Sequence, residues 1–71
     1  DVLDAMVAAD RMLAVTAIEE ADTAGGNEAL LDRAWGYVDS GDDDAASGLE
    51  SKAIKDYSKA WEWALRSLDT N

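Results

Sequence analysis

The sequence predicts an all-α fold: an antiparallel three-helix bundle in a single domain spanning residues 1–71. Three observations predict it. Apolar residues recur at three- and four-residue steps in three separate runs. The chain contains no Pro, so no ring interrupts those runs. Glycines punctuate the runs: Gly25-Gly26, where a helix can end in a left-handed cap, and then Gly41 or Gly48.

The first helix is predicted over about 2–23. Val2, Leu3, Met6, Leu13, Ala14, Ala17, Ile18 and Ala21 form its stripe. Asn27 is suited to cap a second helix at about 27–46, with Glu28 favourably placed in its first turn. That helix should bury Leu30, Leu31, Ala34 and Val38, with Trp35 or Tyr37. It ends either at Gly41 or, through three consecutive Asp, at Gly48. Ser47-Gly-Leu-Glu50 reads as a capping box opening a third helix at about 49–68, after which Asp69-Thr70-Asn71 should fray. Ala53, Ile54, Tyr57, Ala60, Trp61, Ala64, Leu65 and Leu68 form one broad apolar stripe along that third helix. The expected core contains Leu3, Met6, Leu13, Ala17, Leu31, Ala34, Val38, Ile54, Tyr57, Trp61, Ala64 and Leu68.

Composition narrows the function. The net charge of −10, with 48% hydrophobic residues, fits a folded acidic domain rather than a disordered tail. It argues against nucleic acid or anionic lipid as partner. Cys and His are both absent, which removes disulfides, Cys/His zinc sites and thiol or imidazole catalysis. No apolar run approaches the roughly 20 residues of a membrane span. The chain opens at Asp1 without Met or an apolar signal core. That start is expected of a processed protein or of a piece of a longer one, and absent Cys fits the cytosol and export alike.

Charge is unevenly placed. Residues 1–49 hold 12 acids and 2 bases, whereas residues 50–71 hold 4 of each. Lys52, Lys55, Lys59 and Arg66 therefore lie on the last helix of an otherwise acidic chain. They either compensate neighbouring helices or form a docking stripe for an acidic partner.

The second and third helices together resemble a tetratricopeptide repeat over residues 35–68. Tyr37 falls in the Trp slot, Gly41 in the Gly slot, Ala53 in the Ala slot and Tyr57 in the Phe slot. Ser40, Asp44 and Leu65 depart from the Leu, Tyr and Pro slots. The resemblance implies a helical hairpin. It does not imply a peptide groove, because roughly three repeats are needed to stack. The whole chain is also similar to Ala-rich three-helix modules near the C-terminus of secreted or surface proteins of bacteria and archaea. Ala9-Asp10-Arg11-Met12-Leu13-Ala14, Gly41-Asp42, Ala53-Ile54, Tyr57 and Ala60-Trp61 carry that likeness. It implies accessory or interaction work, in a processed piece or C-terminal module of a larger protein outside the cell or on its surface, with a cytoplasmic location as the alternative.

Candidate sites follow from residue chemistry. Asp10 falls inside the apolar stripe of the first helix, where a carboxylate needs a partner such as Tyr57, an indole N–H or a base. The twelve residues from Asp39 to Glu50 have the length of a calcium loop. Asp39, Asp42, Asp43, Asp44 and Glu50 are its candidate ligands. Gly41 at the third position supplies no ligand, and Asp44 stands where that loop needs Gly, so the loop is a weak cation site at most. Trp61 is expected in the core. Trp63 lies off the stripe and is the candidate contact residue, for a protein surface or a stacked sugar ring. No arrangement for catalysis is evident, and no cofactor is expected. The expected function is a non-catalytic interaction or accessory module, with Trp63, Lys52, Lys55, Lys59 and Arg66 as its face. The expected partner is another protein or the parent protein's own domains, in a larger assembly. The alternative is a ligand-binding module, for a cation at Asp42–Asp44 or a glycan at Trp63.

Overall fold

A computed structural model describes residues 2–69 as three helices: α1 (Val2–Thr23), α2 (Glu28–Ala46) and α3 (Glu50–Asp69). The all-α three-helix bundle is thus the observed fold, with no strand among the described residues. Thr70 and Asn71, expected to fray, lie outside them, whereas Asp69 closes α3.

Both turns are set by one device. Gly25 and Gly48 have φ of +85° and +79°, a conformation that costs glycine nothing. Around the first, Gly26 N–H donates to the Ala21 carbonyl at 2.8 Å and Gly25 N–H to Asp22 at 3.1 Å. Around the second, Leu49 N–H donates to Asp44 at 2.8 Å and Gly48 N–H to Ala45 at 3.1 Å. Each pair satisfies carbonyls that a helix end leaves open. This settles the end of α2, which runs through Gly41 and the three Asp to Ala46. It also corrects the capping box. Ser47 is the C-cap of α2, and the Leu49 carbonyl, accepting from Ala53 N–H at 2.9 Å, opens α3. Asn27 caps α2 as its position predicts, accepting from Leu30 N–H at 3.2 Å.

The core is built mostly from small residues. Ala14, Ile18 and Ala21 of α1 meet Leu31, Ala34 and Val38 of α2 and Ala53, Tyr57, Ala60 and Ala64 of α3. Small side chains let helix axes approach closely. The clearest case is Gly41, where an added Cβ would stand 2.6 Å from the Tyr57 ring. At the other end, Gly26 lies against buried Ser67, whose hydroxyl donates to the Ala64 carbonyl at 2.6 Å.

The expected core needs correction. Leu31, Ala34, Val38, Tyr57 and Ala64 are buried, and Ala17 and Ile54 are half-buried. Leu3, Met6, Leu13, Trp61 and Leu68 are instead exposed, at 43%, 47%, 61%, 45% and 41%. The stripes of α1 and α3 are wider than the area the three helices close over. Ala14, Ala53 and Ala60 hold the contact, and the larger residues beside them are left at its edge.

Candidate interaction surface

The side of α3 that faces α2 is occupied. Four links join the two helices at matching intervals. Arg33 stands 5.2 Å from the Trp63 ring centroid, and Lys59 5.8 Å from that of Tyr37. Ser40 donates to Asp56 at 3.1 Å, and Lys52 lies 3.8 Å from Asp44. Positions 33, 37, 40 and 44 thus descend against 63, 59, 56 and 52, the register of an antiparallel pair. Arg66 covers Trp63 from its own helix at 4.9 Å. Trp63 is half-buried with two guanidinium groups over its ring, so cations compete for the ring surface that a partner or a sugar would need. Of the basic stripe, Lys52, Lys59 and Arg66 all have partners within the chain. Lys55 is exposed.

A three-residue cluster ties α1 to this pair. Asp42 on α2 accepts from Arg11 through both oxygens, at 2.8 and 3.1 Å, and from the Tyr57 hydroxyl at 2.5 Å. The Arg11 hydrogen bond holds the Asp42 carboxyl below the usual range, against a partial desolvation cost. Burial, reinforced by the Asp42 carboxylate, pushes the Tyr57 phenol up to about 12. Tyr57 is therefore spent on Asp42 and does not serve Asp10, contrary to one expectation above.

Asp39 to Ala46 is helical, so the calcium-type loop does not form. Among the described residues no group of three or more acids is arranged to hold a metal ion. Asp42 is committed to Arg11 and Tyr57, and Asp39 and Asp43 are exposed along α2. Asp44 and Glu50 are paired with other acids. Proton sharing with Asp56 raises Asp44, and proton sharing with Asp4 raises Glu50. One oxygen of each, Oδ2 and Oε2, is buried without a hydrogen-bond partner.

The opposite flank of α3 is open. Asp10, Leu13, Tyr57, Ser58 and Trp61 line a depression of about 220 Å³ where α1 and α3 run side by side. Met6 stands one helical turn from Asp10, and Leu65 and Leu68 stand one and two turns from Trp61. They extend the depression into an apolar groove along both helices. Among the described residues Asp10, half-buried within it, has no hydrogen-bond or ion-pair partner. The sequence contained one signal of this groove: an acid inside an apolar stripe marks a stripe that is not sealed.

Comparison with protein families, with curated proteins and with solved structures finds no match for this chain. No helix among the described residues is long and apolar enough to cross a membrane.

Proposed function

We propose that the chain is a non-catalytic helical interaction module. It would serve as an accessory domain of an exported or surface-associated protein, or as a small subunit of an assembly. One observation carries the reading: Leu13 and Trp61 line one depression, and the exposed Met6, Leu65 and Leu68 continue from it at helical spacing. Isolated apolar side chains are normal on a surface, but a contiguous row of them marks a place where another molecule fits. A chain this small also has little core to spare, so burying that row against a partner would add stability.

The α2–α3 hairpin supports the resemblance to a single tetratricopeptide unit. Gly41 lies under Tyr57, and Ala53 and Ala60 line the seam. On this reading the unit is a scaffold that holds α1 and α3 side by side. A cation at Asp42–Asp44 and a glycan at Trp63 gain no support, because Asp42, Asp44 and Trp63 are engaged within the chain and, among the described residues, Asp43 stands alone on the α2 surface.

Native mass spectrometry of the protein recovered from its source tests the proposal. The expected result is a stoichiometric complex with a second polypeptide, or this chain within a larger one. A lone 7.6 kDa monomer would contradict it.

A further inference from the structure

We infer that the groove between α1 and α3 binds a basic amphipathic helix of a partner protein, with a Lys or Arg of that helix reaching Asp10. The inference rests on the reading of the chain as an interaction module and names the surface and the partner's chemistry.

The shape argues for a helix. α1 and α3 are the first and third helices of an up-down-up bundle, so they run in the same direction. Their exposed apolar residues follow helical spacing on both walls: Met6 and Leu13 on one, Trp61, Leu65 and Leu68 on the other. Between Ile54 and Leu68 the wall is about 20 Å long, the length of about 14 helical residues. A fourth helix laid there would complete a four-helix bundle by the helix-in-groove mode. The depression beside Trp61, at about 220 Å³, is smaller than the roughly 300–1,000 Å³ of small-molecule sites. It suits one anchoring side chain.

Charge selects the kind of helix. Asp10 lies in the groove without a partner. Glu62 and Asp69 continue the row of Ser58 and Leu65 along the outer rim of α3, and Glu20 continues that of Leu13 and Ala17 along α1. Lys55 is the one base on these rims, because Lys52, Lys59 and Arg66 are turned to the α2 side. A second copy of this chain would bring an identical acidic rim and a further charge of −10 against the first. A helix with Lys or Arg beside its apolar stripe matches both features, because its charged heads reach the rims while its stems and Leu residues fill the groove.

The test titrates the 71-residue chain with a synthetic 16-residue helical peptide bearing a Leu stripe flanked by Lys. Fluorescence anisotropy and amide chemical-shift mapping report on binding. Controls are the same peptide with Glu for Lys, and a scrambled peptide of the same composition. The inference expects saturable binding of the Lys peptide alone, with shifts along Met6–Ala17 and Ile54–Leu68. Leu13→Ser and Leu65→Ser should each weaken it about tenfold, and Asp10→Asn about fivefold. Asp32→Asn, which removes an equal charge from α2, should leave it unchanged. Both Leu positions are exposed, so circular dichroism should show both Ser variants folded. Absence of binding at about 1 mM peptide, equal binding by the scrambled peptide, shifts confined to the α2–α3 side, or dimerisation of the chain through this groove would each overturn the inference. Such a failure beside a stoichiometric complex from the source would sink the groove and leave the interaction module standing. A lone monomer from the source would sink the broader reading.

Discussion

The two flanks of α3 are built on opposite plans. Toward α2, Gly41, Ala34, Ala53 and Ala60 bring the backbones close, and the Arg33–Trp63, Tyr37–Lys59, Ser40–Asp56 and Asp44–Lys52 links close the margin. Toward the outer side of α1, the large residues Leu13, Trp61, Leu65 and Leu68 stand in solvent. The difference teaches that close approach in a small bundle is set by small residues. Side-chain size alone is a poor guide to burial here: the exposed Trp61 is larger than every core residue.

The largest expected effect contrasts neighbours on α3. Tyr57→Ala empties a fully buried site and should cost about 3–5 kcal/mol, enough to unfold a domain of this size in a denaturant titration. Trp61→Ala, four residues on and half exposed, should cost under about 1.5 kcal/mol. Equal losses would break the comparison.

The next contrast uses one substitution at two glycines of α2. Gly41→Ala drives a methyl into the Tyr57 ring, an overpacking cost of about 1–3 kcal/mol that exceeds the roughly 1 kcal/mol gained in helix propensity. Gly36→Ala meets nothing within 4 Å and should stabilise by about 0.5–1 kcal/mol. Opposite shifts in melting temperature are the expected readout.

A smaller effect belongs to the link between α1 and α2. Arg11→Met removes both hydrogen bonds to Asp42 from a pair that is substantially exposed. The loss should be about 0.5–1 kcal/mol at low salt and should shrink in 1 M salt. Thermal melts at the two salt concentrations check it.

The last effect is a pH dependence with two signs. Asp44 and Glu50 are raised on folding, so the native chain binds more protons than the unfolded one. Their stabilisation is complete at low pH and is lost as pH rises through their folded values. Acidifying from neutral pH into the carboxylate range, just above the ordinary values of about 4, should therefore raise the melting temperature. Asp42 acts the other way. Its folded value is depressed, so its stabilisation is lost as the pH falls through that value. Acidifying further should then reverse the gain. A monotonic fall from neutral pH would contradict these pairings.

Much of the fold was legible. The three apolar runs and the glycines between them located the helices, and Asn27 marked the start of α2. Gly41 and Tyr57 marked the seam. Which part of a wide stripe is buried was not legible, because periodicity gives a direction and helix packing decides how far the contact extends. That is why Leu3, Met6, Leu13, Trp61 and Leu68 were expected inside. The exchange of roles between Trp61 and Trp63 has the same origin. Trp63 lies off the stripe, but Arg33 and Arg66 cover it, and the register of another helix supplies one of those cations. The Asp42 link was hidden as well, since it joins three residues distant in sequence.

Solvent paramagnetic relaxation of side-chain methyl groups, measured by NMR on the free chain with a soluble gadolinium chelate, tests the open-groove account most directly. The account predicts strong relaxation for the Met6, Leu13, Leu65 and Leu68 methyls and protection for those of Ile18, Val38 and Ala60. Leu13 and Met6 methyls as protected as that of Ile18 would mean the groove is closed in solution, and the account would be wrong.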